Sequence, residues 1–438
     1  MGAIQLPDIV EVAKFGGSSL ADKPRRDNAR DIVLGKYDGK RRQDVVVSFL
    51  GRQFYNSIKP SDTLEEIGRR GSDDIRYRSL LDDTISMLQE VTREEGLTRV
   101  IVGPHKGLRY DDFIAKELIW RYETRGQISP DAHEVMMICT GEFFQAHIKA
   151  DSLAAQGVPV QLLLPETTGF NFTGSIKDAH VPNQSIDALA NALGDLEIFN
   201  VMPGYYGIHL DEKGDAQTLS SWDGFPRFVL AALGRGGSDT TAQYLTVARL
   251  RWLRANGYNN TQIRHSNFTD VQGIAVADPR LIPDVAFNRF LSYNDATVLG
   301  ASVVHPHVYG VAKEHDTPLL VRRSFAPDEN GGFLRGFDPQ ESGTLVKMRC
   351  SGEDYAQNPN PDLVGINYKQ AEKSLVIVGP SINTNHQVRQ GIESVLLTTG
   401  VASMTASEGN NYLQFSIPDS SVAQTAVKLL YNKFFRQA

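Results

Sequence analysis

The hexapeptide Lys14-Phe15-Gly16-Gly17-Ser18-Ser19 closes the apolar run Ile9-Val10-Glu11-Val12-Ala13, and few structures accept a strand that ends this way. Adjacent glycines let the backbone turn with its N–H groups aimed at one point, and the lysine adds a mobile positive charge beside them. That combination suits a bound phosphate; it also suits a tight turn from strand into helix. The lysine precedes the glycines and lies on the strand, so this is not a Walker A loop, and GxGxxG spacing is absent.

At 438 residues the chain exceeds one ordinary core, and two or three domains are expected. Hydrophobic content of 41% with 22% charged residues describes a soluble globular protein. No apolar run approaches the ~20 residues that span a bilayer, and no basic-then-apolar leader opens the chain. Only Cys139 and Cys350 occur, far apart, which fits a reducing compartment and a cytoplasmic protein. The net charge of −7 is spread along the chain. Short basic clusters such as Lys40-Arg41-Arg42 read as solvated faces, so neither nucleic acid nor membrane is an expected partner.

The first 200 or so residues alternate β-rich runs with helical patterns. Val45-Val46-Val47, Val158 to Leu164 and Glu197 to Met202 read as strands. Asp82 to Glu95 and Asp131 to Gln156 carry apolar residues at helical spacing, the latter started by Pro130 and stopped by Gly157. Such alternation predicts an α/β sandwich with a largely parallel sheet, whose ligand loops gather at the carboxyl ends of the strands. Gly204-Tyr205-Tyr206-Gly207 has that placement, its tyrosines suited either to stacking on adenine or to the core. Lys213 to Pro226 reads as an exposed excursion, and His305-Pro306-His307 as a turn rather than a metal site. After the Gly- and Pro-rich stretch from Phe325 to Gly343, the pattern becomes ββαββα. Its strands are expected at Leu363–Tyr368, Ser374–Val378, Val401–Thr405 and Tyr412–Ile417, its helices at His386–Leu397 and Ser421–Phe435. Moving the first strand to the end gives the ferredoxin-like βαββαβ.

A second glycine loop, Gly234-Arg235-Gly236-Gly237-Ser238-Asp239, leads into a predicted helix. Its glycines admit a ligand to the backbone, the helix N-terminus adds partial positive charge, and Arg235 offers a fork for a carboxylate. A third cluster runs Phe268-Thr269-Asp270-Val271-Gln272-Gly273 and closes at Asp278-Pro279-Arg280.

These clusters, with TGEFFQA at 140–146, GASVVHP at 300–306 and SGTLV at 342–346, resemble the aspartate kinases of the amino-acid kinase superfamily, in the same order along the chain. The C-terminal ββαββα unit resembles the ACT modules of those enzymes. The resemblance implies an amino-acid-kinase catalytic domain over 1–346, a linker over 347–361 and an ACT-like regulatory or dimerisation domain over 362–438. It implies phosphoryl transfer from ATP, with Mg²⁺, to the β-carboxylate of L-aspartate, giving 4-phospho-L-aspartate for amino-acid biosynthesis. Lys14 would contact the transferred phosphate, cradled by Gly16, Gly17 and Ser18, with Asp239 either orienting the lysine or acting through Mg²⁺. Arg235 would take the substrate α-carboxylate and Glu142 its α-amino group, with Gly236, Gly237, Ser238 and Ser48 alongside. Thr269, Asp270, Asp278 and Arg280 would line the nucleotide.

The substrate carboxylate is already ionised at neutral pH, so the reaction needs positioning and positive charge rather than a strong base. Two departures from the family pattern bear on the nucleotide. Ser302 stands where the family often has lysine, and Ala275 where it often has tyrosine; Arg52 is a possible substitute charge. One ACT-like unit stands where such enzymes usually carry two. The resemblance further implies a homodimer with an amino-acid effector such as lysine or threonine near Gly379 to Asn385. The alternatives are a kinase of another acidic amino acid and a catalytically weak amino-acid sensor.

Overall fold

The computed structural model describes residues 9–51, 59–70, 75–300, 303–327, 333–334, 343–400, 406–409 and 411–436. The chain divides into two compact units, Met1–Asp270 with Ser324–Gln340, and Val271–Arg323 with Glu341–Ala438.

The first unit is built on strands β1 (Ile9–Phe15), β2 (Asp44–Val47), β3 (Val160–Leu162), β4 (Phe199–Pro203) and β5 (Gln262–Thr269). They run parallel in the order β5-β1-β2-β4-β3. β2 is buried throughout, as a helix-covered parallel sheet requires. Three helices matter for the site: α1 (Lys23–Val33), α2 (Pro130–Ala154) and α3 (Gly237–Ala255). α2 begins where its signals place it, with the Ser129 hydroxyl accepting from the Ala132 N–H and proline following. The helix expected at 82–95 runs from Ile75 to Glu94, because buried Tyr77 and Leu81 continue its apolar stripe.

Asn171–Gly174, Ala179–His180, Tyr206–His209 and Leu230–Ala232 form a second, four-stranded sheet in this unit. The excursion at 213–226 is largely exposed, as expected. Within it Thr218–Leu219 pair with Arg227–Phe228 just beyond it, and the Trp222 indole N–H donates to buried Glu117 at 2.9 Å.

In the second unit, Thr344–Lys347 lies parallel to Phe290–Ser292 and antiparallel to Leu319–Arg323. The C-terminal elements are β6 (Gly365–Lys369), β7 (Ser374–Val378), α4 (His386–Thr398), β8 (Ala406–Gly409), β9 (Tyr412–Ser416) and α5 (Ser420–Phe434). They give the expected ββαββα, paired antiparallel in the order β6-β7-β9-β8, the ferredoxin-like order with its last strand moved to the front. α5 buries Ala423, Ala426, Val427, Leu430 and Tyr431 on one stripe. The strand expected at 401–405 lies outside the described residues.

The second unit joins residues 271–323 to the segment from 341 to the C-terminus. Val276, Ile282 and Val285 share a buried cluster with Leu363, Ile366, Ile377 and Leu430. The Ile366 N–H also donates to the Val276 carbonyl at 2.7 Å. Residues 271–323 therefore depend on the C-terminal segment for their core.

Candidate functional site

Alternation along β1 and β5 sets up the centre of the site. Val12 and Lys14 stand in register with His265 and Asn267, two residues apart on each strand and so on one face. Glu11 and Ser266 occupy the other face, where the Ser266 hydroxyl donates to the Glu11 carboxylate at 2.9 Å. On the first face the N-terminal turn of α3 brings down Asp239, whose Oδ1 lies 2.5 Å from the Lys14 Nζ. Both side chains are about nine-tenths buried. Asn267 Nδ2 donates to the same oxygen at 3.3 Å. One turn further along α3, Gln243 Oε1 meets the His265 Nδ1 at 2.9 Å. Burial pushes the His265 imidazole down to about 3, so it is neutral.

The first glycine loop is sterically committed. A side chain on Gly17 would come within 2.6 Å of the Phe49 carbonyl, and the Gly51 N–H donates to the Gly17 carbonyl at 2.9 Å. The loop after β1 and the loop after β2 therefore touch backbone to backbone, which places Ser48 and Phe49 beside the lysine loop. Ser18 is half-buried. Ser19 instead serves the fold, its hydroxyl donating to the Phe268 carbonyl at 3.1 Å.

Glu142 enters from α2. Gly141 lets the Phe49 ring lie against the helix, where any side chain would overlap it, and the Phe49 N–H donates to Glu142 Oε1 at 3.2 Å. Oε2 is buried with no hydrogen-bond partner among the described residues. Desolvation pushes the carboxyl up to about 7; the Phe49 N–H and, more weakly, Lys59 and Lys14 oppose this.

In the second glycine loop Gly234 and Gly236 hold φ of +68° and +75°, conformations that favour glycine. Arg235 between them is exposed and makes no ion pair among the described residues. Tyr205 also has positive φ, +82°. Its N–H donates to the Thr241 hydroxyl at 3.0 Å, and a side chain on neighbouring Gly204 would reach within 2.6 Å of Ser238. That fit locks the turn after β4 to the start of α3. Tyr206 is fully buried in the core, and half-buried Tyr205 packs against the same core.

Lys14, Gly16, Gly17, Ser18, Ser48, Glu142, Arg235, Gly236, Gly237, Ser238, Asp239, Thr269 and Asp270 all belong to the first unit; Asp278 and Arg280 belong to the second. Thr269 donates to Asp270 at 3.0 Å at an exposed strand end. Arg280 closes an exposed turn on Asp278 at 2.6 Å. His305 immediately precedes the helix Pro306–His315. Ser302 and Arg52 lie outside the described residues. Asn267, His265 and Gln243 lie outside the motifs that mark the site in the sequence. The available signal was polar residues at alternate positions of a strand otherwise fit for burial.

Residues 10–250 match the amino acid kinase family, more than half of the chain. The chain belongs to that family. Aspartokinase from Rickettsia conorii is 25% identical over 264 residues, covering 59% of this chain and 57% of the relative. The chain spans about half the length of the curated relatives it matches. Among solved structures, Clostridium acetobutylicum aspartate kinase superposes with a TM-score of 0.68 at 16% identity, covering 97% of this chain and all of that one. Escherichia coli aspartokinase III in complex with aspartate and ADP gives 0.57 at 19% identity, over 97% of this chain and 83% of that one. At these identities the superpositions establish the family fold. No helix among the described residues is long and apolar enough to cross a membrane.

Proposed function

We propose that the protein transfers the γ-phosphoryl group of ATP to the β-carboxylate of L-aspartate, forming 4-phospho-L-aspartate. The observation that carries this is the Lys14–Asp239 pair at the junction of two glycine loops, with Glu142 offering from the adjoining helix a buried oxygen that has no partner among the described residues. A lysine held at a strand end can follow charge onto the transferring phosphoryl group, and loop N–H groups can take its oxygens. Glu142 supplies an anion for an ammonium, and exposed Arg235 a fork for a carboxylate. Together they favour a free amino acid over an N-acylated one. The similarity to aspartokinases favours aspartate over glutamate.

Mg²⁺ bound with ATP would supply further neutralisation of phosphate charge. Asp239 is a fitting donor, since Mg²⁺ is commonly held by one or two carboxylates together with substrate phosphates. Thr269, Asp270, Asp278 and Arg280 are assigned to the nucleotide. The proposal extends to a cytoplasmic homodimer assembled through the β6–β9 module, with an amino-acid effector such as lysine or threonine near Gly379 to Asn385. Hydroxylamine trapping with aspartate, glutamate and N-acetylglutamate in turn tests the substrate. Aspartyl hydroxamate should dominate; a faster reaction with glutamate would overturn the assignment, and no product with any acid would favour an amino-acid sensor.

A further inference from the structure

We propose that Asn267 is a positioning residue for this phosphoryl transfer, acting through Asp239 to hold the Lys14 ammonium in place. The inference rests on the phosphotransferase reading above.

Three observations carry it. Asn267 is the register partner of Lys14 across the β1–β5 pairing, so its side chain rises from the neighbouring strand on the lysine's own face. Its amide donates to Asp239 Oδ1 at 3.3 Å, the oxygen that lies 2.5 Å from the lysine nitrogen. It is 1% exposed, and its own Oδ1 has no partner among the described residues. A buried amide with its acceptor unmet costs stability, so its contact with Asp239 is what the amide contributes here.

The neighbouring rung makes the arrangement rigid. His265, two residues back on the same face, bonds Gln243, one turn along α3 from Asp239. β5 thus grips α3 at two successive turns. Because the imidazole stays neutral, it adds no second cation to compete with Lys14 for Asp239. A carboxylate held by lysine alone can rotate about its terminal torsion and carry the flexible ammonium with it. A second donor on the same oxygen removes that freedom. Placement matters, because a displacement of about 1 Å can cost about 100-fold in rate.

The test is a double-mutant cycle in the full chain, read as kcat and KM from acyl-phosphate trapping. Asn267→Leu should lower kcat about 10-fold or more and leave KM for aspartate within about 2-fold. Asn267→Asp should lose more, since a carboxylate there competes with Asp239 for Lys14. In an Asp239→Asn background, Asn267→Leu should produce no further loss. Wild-type kcat in Asn267→Leu would overturn the inference, as would losses that multiply in the double variant in the way a general packing defect does. If Asn267→Leu fails to fold, Asn267→Ser carries the same cycle, with a smaller expected loss and the same overturning outcomes. No wild-type turnover with any acid would overturn the phosphotransferase reading and this inference with it. Wild-type turnover that survives in Asn267→Leu overturns this inference alone.

Discussion

Glu142 holds a buried carboxyl whose Oε2 has no hydrogen-bond partner among the described residues, and the fold should be more stable without its charge. Burial moves it from the ordinary 4.5 to about 7. Above pH 7 the folded protein therefore carries a carboxylate that is ionised more easily in the unfolded chain. At about 1.4 kcal/mol per pH unit this displacement is worth about 3 kcal/mol at pH 8. The sign is fixed by proton count. Between 4.5 and 7 the folded state binds more protons than the unfolded, so this contribution is intact below 4.5 and is lost as pH rises through 7. Glu142→Gln keeps the shape and the acceptor for the Phe49 N–H but cannot ionise. It should raise Tm at pH 8 by roughly 6 °C, at about 2 °C per kcal/mol for a unit of this size. At pH 5 the advantage should shrink below about 1 kcal/mol. The same variant should lose aspartate affinity, and wild-type kcat/KM should fall below pH 7 as the carboxylate is protonated. Thermal melts of both proteins at pH 5, 6, 7 and 8 make the comparison. A Tm difference independent of pH, or a less stable variant at pH 8, would refute the reasoning.

Two further predictions separate the parts of the site and of the fold. Lys14→Ala should lower kcat by about 100-fold or more with little change in KM for aspartate, whereas Arg235→Ala should chiefly raise that KM; indistinguishable kinetics would refute the separate roles. Deleting everything after Leu345 should yield insoluble or rapidly proteolysed protein, because Val276, Ile282 and Val285 lose the partners that bury them. A soluble, fully active truncate would contradict the division into two units.

Much of this architecture was legible. Apolar runs ending in glycine marked β1, and the helical stripe with its Pro130 start and Gly157 stop marked α2, because those signals act over a few residues of backbone. The two glycine loops were legible for the same reason, since their steric need is local. The packing of residues 271–323 with the C-terminal segment was not, because apolar clusters joining Val276 to Leu430 leave no trace at short range. The roles of Asn267 and His265 leave no local trace either. A polar residue on a strand acquires meaning only when register sets it beside Lys14. The positive φ of Tyr205 follows from a close approach to α3 that no local preference of tyrosine suggests.

The central claim is that a side-chain carboxylate oxygen of aspartate attacks the γ-phosphorus, and isotope transfer tests it most directly. Aspartate carrying ¹⁸O in both β-carboxylate oxygens is incubated with the protein, Mg-ATP and hydroxylamine, and the released phosphate is read by ³¹P NMR. Hydroxylamine attacks the acyl carbon and breaks the carbon–oxygen bond, so phosphate that passed through 4-phospho-aspartate keeps one ¹⁸O. Singly labelled phosphate, formed in step with aspartyl hydroxamate, is the expected result. Unlabelled phosphate would mean that water, not aspartate, took the phosphoryl group, and would contradict the account.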